Sequence, residues 1–190
     1  MNLIEETDRL REEINKKEDE LEKKNKEFKD ERDKEKKVKL KSEVDKVKKE
    51  RNKLFEDYLN KYSEGKVKEW ISKDIEQETI LYSEFFGRYS VIQDLSTSQI
   101  RNVYGEVKRI QMKTGSELDL LSLRMLQPKL AYAAARAKKT GTNELKNVLT
   151  ASIKTVLEEG IDKKERDKRF ENFANFFESI LAYHKAYGGN

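Results

Sequence analysis

Cysteine is absent from the 190 residues, and histidine, tryptophan and proline occur once each. Without thiols there can be no disulfide, no thiolate nucleophile and no cysteine-built zinc or iron–sulfur site. The single histidine, His184, rules out multi-histidine metal centres and leaves a nucleophilic triad only one possible base. No apolar run approaches the roughly 18 residues of a membrane span, and the opening MNLIEETDRLREE has neither the basic start nor the apolar stretch of a secretory signal. The expectation is a soluble, cytoplasmic protein with no membrane partner. Glycine-rich phosphate loops are missing too: Gly105 and Gly115 stand alone, and YGGN has no helix after it. Carboxylate pairs such as Glu158-Glu159 lie in charge-rich segments typical of a solvated surface. No catalytic residue, metal ligand or cofactor is expected.

What the chain has in abundance is charge, 41% of residues against 35% hydrophobic, which favours a small domain plus an extension over one uniform globule. The charge is uneven. Residues 1–94 carry 24 Lys/Arg and 26 Asp/Glu, whereas residues 95–190 carry 17 and 11. Between Arg101 and Lys154, 11 basic residues face 4 acidic ones, Glu106, Glu117, Asp119 and Glu144. A polyanion is the natural partner of such a segment.

Residues 5–53 contain no glycine or proline and few apolar side chains. Acidic residues precede basic ones by four, as in Glu12 with Lys16, Glu13 with Lys17, Asp19 with Lys23, Glu20 with Lys24 and Asp30 with Lys34. Each such pair supports a helix by about 0.2 to 0.5 kcal/mol, so a long solvated helix is expected. Leu40, Val44, Val47, Arg51, Leu54 and Tyr58 alternate in steps of four and three, a coiled-coil seam with one charged intruder. Upstream, Leu3, Leu10, Ile14, Leu21 and Phe28 supply barely one apolar residue per heptad, which suits either a fraying segment or a single helix.

Gly65 marks a boundary. One or two short helices are expected from Val67 to about Gly87, followed by four stronger ones. Ser96 and Gln99 form a capping box, and Ile100, Val103, Tyr104, Val107 and Ile110 then make one apolar face that stops at KTGS near Gly115. The next helix, from about Glu117 to Lys139, is apolar nearly all round and should be central, with a kink or break at Pro128. Thr140-Gly141-Thr142-Asn143 separates it from a helix with Leu145, Val148, Leu149, Ile153, Val156 and Leu157, ended by Gly160. The last helix carries Phe170, Phe173, Phe177, Ile180, Leu181, His184 and Tyr187 on one side. His184 should therefore be a packed residue bonded to a neighbour. With no strand alternation, the fold class is all-α: a small antiparallel helical bundle over residues 64–190, preceded by a long charged helical or coiled-coil extension over residues 1–63.

The basic residues carry the functional signal. Arg101 and Lys108 are seven apart on one helix, with Gly105 between them, and a mid-helix glycine implies close approach of another backbone. Lys129 and Arg136 are seven apart on the next helix, with Tyr132 and Lys139 adjoining. A basic strip with an alanine floor is suited to a phosphate backbone. Tyr132, within an apolar run, is expected in the core rather than as a base-stacking platform.

Three blocks, LSTSQIRN (Leu95 to Asn102), QPKLAYAAAR (Gln127 to Arg136) and FFESILAYHKAYGG (Phe176 to Gly189), in this order and spacing, resemble the small helical subunit of type III-A CRISPR effector complexes, the Csm ribonucleoprotein. The resemblance covers about the last half of the chain. It implies a non-catalytic subunit present in more than one copy, packed as a filament beside the repeated backbone subunit and contacting the guide RNA and target RNA duplex. Target cleavage and signalling would belong to other subunits. Matching positions make Arg101, Lys129 and Arg136 the implied RNA contacts. Gln127 stands where a basic residue is expected, and Ala135 where a glycine is common.

The expected RNA-binding set is thus Arg101, Lys108, Lys129, Arg136 and Lys139. The expected partners are guide and target RNA, the other subunits of the complex and further copies of this chain. A rival reading makes the extension the functional part, as a coiled-coil scaffold or tether with a protein-docking bundle. A second, enzymatic, rival needs His184 as base. The role of the extension stays open: it joins copies, docks another subunit, or does neither.

Overall fold

The structure, a computed structural model that describes residues 3–62, 64–113 and 117–189, divides into a unit over residues 1–61 and a unit over residues 62–190. Eight helices and no strand occur among the described residues, so the all-α class holds.

The first unit is a helical hairpin, α1 (Leu3–Asp30) and α2 (Lys34–Leu59). The sparse upstream half is therefore neither frayed nor single: it partners the seam of α2. Leu3, Thr7, Leu10, Ile14, Lys17, Leu21, Lys24 and Phe28 continue the four–three alternation, with Thr7, Ile14 and Leu21 buried, and Leu21 clusters with Val44 and Val47. Lysines at two seam positions look wrong for a coiled coil until their partners are seen. Lys17 reaches Glu50 at 2.6 Å and Lys24 reaches Glu43 at 2.5 Å, and Lys61 pairs with Glu6, all three on one antiparallel register. Exposed ion pairs of this kind are screened by solvent and add little stability. Their effect is to specify register, since a parallel pairing of α1 with itself would set Lys17 against Lys17. The turn forms without glycine or proline. Glu31 Oε1 accepts from the amides of Arg32 and Asp33, both at 2.8 Å, and the Asp33 carboxylate caps α2 through the amide of Lys36 at 2.9 Å. Asp30 and Lys34, expected to pair along one helix, lie on opposite sides of this turn.

The second unit contains α3 (Glu64–Ser72), α4 (Gln77–Ile92), α5 (Thr97–Lys113), α6 (Leu120–Ala137), α7 (Thr140–Val156) and α8 (Lys163–Ala186). Its core is built by α4, α7 and α8, each buried along most of one or more faces. Phe173, Phe176, Phe177 and Ile180 of α8 are fully enclosed, each contributing about 1.5 to 3 kcal/mol of burial. Polar side chains close the helix ends. Asn172 donates to the carbonyls of Ile71, in the last turn of α3, and Lys73, just beyond it, at 3.1 and 3.0 Å, and Arg169 donates to Thr155 O at 3.1 Å near the end of α7.

Five expectations need correction. Gly87 does not end its helix: α4 runs on to Ile92, and Gly87 is where α8 comes closest. A Cβ there would lie 2.7 Å from the amide nitrogen of His184 and 2.8 Å from Cβ of Tyr183. Gly105, by contrast, has no neighbour within 4 Å of a Cβ position, so the close approach assigned to it belongs to Gly87. Thr140 to Asn143 are the first turn of α7 rather than a linker. Gly141 lets that turn abut the end of α4, donating its amide to Gln93 O at 3.1 Å. Finally, α6 is not the central helix, for only Leu123, Leu126, Leu130 and Ala134 are buried in it. It also runs through Pro128 unbroken, both that residue and Arg124, whose carbonyl loses its helical partner, being exposed. The expected stop at KTGS falls on residues 114–116, outside the described residues.

Because Gly105 sits mid-helix with open space around it, Gly105→Ala is expected to stabilise the isolated protein by about 0.5 to 1 kcal/mol through helix propensity alone. A chemical denaturation midpoint that rises without a change in m would show it.

Candidate nucleic-acid interface

The capping box expected at Ser96 is present and sets the direction of α5. The Gln99 amide donates to Ser96 Oγ at 3.3 Å and the Ser96 amide to Gln99 Oε1 at 3.0 Å. From this start α5 lies beside α6, and between them runs an open groove of about 610 Å³. Leu126 and Leu130, both buried, lie beneath it with Val103 and Ala133. Ser98, Gln99, Asn102 and Glu106 line the α5 side, and Lys129, Tyr132 and Arg136 the α6 side. Two of the three sequence blocks, LSTSQIRN and QPKLAYAAAR, thus form opposite walls of one feature.

Tyr132 is not a core residue: 68% of it is exposed, on the groove's lip. Its misreading has the same source as that of α6. Leu121, Met125, Pro128, Tyr132 and Ala135 repeat at steps of four and three, which reads as a buried seam, but all five face solvent.

The five basic residues are only partly brought together. Lys129 and Arg136 line the groove, while Arg101, Lys108 and Lys139 lie off it. Lys108 turns instead toward α8. It donates to Gln111 at 3.1 Å, pairs with Glu178 at 3.1 Å and lies 5.4 Å from the centre of the Tyr104 ring. Hydrogen bonds from Tyr104 and Lys108 hold the Glu178 carboxyl below its ordinary range. Lys139 pairs with Asp94 at 3.1 Å. Lys129 bonds Glu106 at 2.5 Å, which holds that carboxyl below its ordinary range, and Arg109 pairs with the same group. Arg101 and Arg136 make no ion pair among the described residues. Of the groove's two cations, then, Arg136 keeps its full donor set for a ligand. Facing it are Gln99, read from the sequence as the capping-box partner of Ser96, and Ser98 and Asn102, which entered only as members of the block LSTSQIRN. Their polar character within a solvent-facing turn of LSTSQIRN was the available signal.

The family model for Csm2 type III-A matches residues 73–190, a span that contains both walls of the groove and all of α8. The chain belongs to the Csm2 type III-A family. No curated protein and no solved structure matches it. The Csm2 family belongs to the type III-A CRISPR complex, as its small, non-catalytic subunit. The hairpin of α1 and α2 lies outside the Csm2 match. Within the matched region His184 is fully buried and bonded to Ser90, as a packing residue would be. Its Nδ1 lies 3.0 Å from Ser90 Oγ, and a Cβ on Gly189 would lie 2.3 Å from its Nε2. Among the described residues no cluster of acidic or histidine side chains is placed to hold a metal ion, and no helix is long and apolar enough to cross a membrane.

Proposed function

We propose that this Csm2-family subunit holds RNA of the interference complex along the α5/α6 groove, by phosphate contacts that are independent of sequence. The observation that carries this reading is the pairing of an unneutralised Arg136 with an exposed Tyr132 across from Ser98, Gln99 and Asn102. The guanidinium gives a phosphate two parallel donors, the tyrosine ring gives an unstacked base a face, and the amide side chains give further donors. Lys129 adds positive charge once its bond to Glu106 is exchanged for a phosphate. Arg101, on another face of α5, extends the positive field along the strand. Guide pairing supplies specificity, and the subunit supplies affinity and alignment for the guide and target RNA duplex. The solvent-facing row of Leu121, Met125 and Pro128 on α6, with Met112 of α5 85% exposed, is a protein-docking face and suits neighbouring subunits or further copies of this chain in a filament.

The test is the complex reconstituted with Lys129→Gln and Arg136→Gln together. Co-purification on a tagged guide-binding subunit reports assembly, and titration with target RNA reports contact. Assembly is expected to persist, with RNA affinity reduced at least about tenfold and the slope of log affinity against log salt lowered by about 1 to 2. Unchanged affinity and slope would remove the groove from consideration.

A further inference from the structure

We infer that the outer face of α2, which lies outside the Csm2 match, is a second RNA-binding surface that grips the phosphate backbone through two rows of lysine. From Lys34 to Lys53 the helix has 10 Lys/Arg and 4 acidic residues. Two of the four, Glu43 and Glu50, are already engaged by Lys24 and Lys17 of α1. The hairpin thereby engages two of the four acids at the seam and leaves Glu35 and Asp45 as the acidic residues of an outer face that exposes seven lysines. Lys34, Lys41 and Lys48 form one row, and Lys39, Lys46 and Lys53 the other, each at seven-residue spacing and each exposed. Within a row successive lysines stand about 10 Å apart along the axis. Lys49 lies between the rows, in a shallow depression it shares with Val38, Ser42 and Asp45. None of these seven lysines makes an ion pair among the described residues.

The like charges in this arrangement work against the helix, although Lys46 is also attracted by Glu43 and Glu50. Lys46 with Lys49, and Lys49 with Lys53, are like charges one turn apart, and each such pair destabilises a helix by a few tenths of a kcal/mol. α1, by contrast, mixes both signs along its length. An anion on the outer face of α2 relieves that repulsion. Three chemistries could supply it, and two fit poorly. A membrane surface calls for apolar side chains to insert, and Val38 is the one such residue on this face. An acidic protein partner calls for an apolar centre to its interface, which the face also lacks. A nucleic-acid backbone needs only periodic cations. The face carries neither arginine forks nor aromatic rings, so it binds phosphate without reading bases. The choice of RNA rests on the reading of the groove, but the two surfaces are separable by mutation.

The experiment compares the full chain with a Lys39→Gln, Lys41→Gln, Lys46→Gln, Lys48→Gln, Lys49→Gln variant and with the Lys129→Gln, Arg136→Gln groove variant. The probe is a labelled single-stranded RNA of about 20 nucleotides and arbitrary sequence, followed by anisotropy from about 50 to 200 mM salt. The α2 variant loses like charges and acidic partners alike and keeps helix-forming side chains, so it should unfold close to the parent. Its RNA affinity at the lower salt is expected to fall at least about tenfold, and its salt slope by about 0.7 for each lysine engaged. Affinity unchanged in the α2 variant overturns the inference, and if the groove variant alone loses binding, the groove reading stands without it. If the α2 variant binds RNA as the parent does but loses binding to vesicles rich in phosphatidylserine, the surface belongs to a membrane and the inference is again overturned. A parent chain that fails to bind the probe at the lower salt overturns it as well.

Discussion

Gly87→Ala is expected to cost the bundle about 3 kcal/mol, lowering its melting temperature by roughly 10 °C. The added methyl would sit 2.7 Å from the amide nitrogen of His184, 2.8 Å from Cβ of Tyr183 and 3.0 Å from Ile180 O. None of these is the free end of a flexible side chain, so relief requires α4 and α8 to separate. That separation would loosen the fully enclosed Phe176, Phe177 and Ile180 on the same helix, which is why the cost exceeds the usual effect of one methylene. Gly105→Ala is the matched control, because it makes the same chemical change in a helix where nothing lies within 4 Å. Equilibrium denaturation of both variants decides the matter. Opposite signs are expected, and a Gly87→Ala protein as stable as the parent would mean that α4 and α8 do not approach as closely as described.

The contrast between these two glycines also shows where sequence reasoning ends. Both are isolated in helical patterns, and nothing local tells which one faces a neighbour. Periodicity located α5, α7 and α8 well because each has an apolar face whose phase is unbroken. It failed on α6 for a physical reason: Leu121, Met125, Pro128 and Tyr132 keep core spacing on a surface that the isolated chain leaves open. A helix apolar all round reads as buried unless a partner outside the chain is meant to bury it. Lys17 and Lys24 gave the opposite error. As charges at seam positions they hid the pairing strand of the hairpin, whereas their glutamate partners lie on the other helix, 33 and 19 residues away. The turn between them was invisible because carboxylates, rather than glycine or proline, make its hydrogen bonds. Of the groove, Lys129 and Arg136 were legible from spacing. That Lys108 and Lys139 lie off it, bound to Glu178 and Asp94, follows only from how α5 and α7 are packed.

Surplus apolar surface on α6 and surplus positive charge on α2 and Arg136 have a common consequence. Each raises the free energy of the chain alone and each would be relieved by a partner of matching chemistry, a protein on the proposed docking face and a phosphate on the proposed basic surfaces. A subunit that functions only within an assembly can carry such features, since bound partners return the lost stability by mass action.

The bundle should lose stability on mild acidification, and His184 alone should be responsible. Ser90 Oγ lies 2.7 Å from Gly87 O and 3.0 Å from His184 Nδ1. With its one proton given to the Gly87 carbonyl, the hydroxyl accepts from Nδ1–H, which assigns the neutral ring its tautomer and leaves Nε2 bare. Nε2 is buried with no hydrogen-bond partner among the described residues. Protonating it would place a donor, and a charge, in a buried position where no acceptor lies among the described residues. Burial, and secondarily the neighbouring Lys185 charge, therefore depress the ring's pKa below its ordinary value near 6.5. The unfolded chain then binds the extra proton and the folded one does not. Stability is full above the unfolded value and declines as pH falls through about 6.5, by up to about 1.4 kcal/mol per pH unit. The carboxylates held low by their partners, Glu106, Glu158 and Glu178 among them, begin to contribute only nearer their unfolded values, about 4.3. Between pH 7 and about 5.5 the chain has no other histidine to titrate. Denaturation free energies measured across that window should therefore slope for the parent and lie flat for His184→Gln, whatever the variant's absolute stability. A flat parent, or a variant that keeps the slope, would show that the ring is solvated and that the α4/α8 contact around Gly87 is looser than its geometry states.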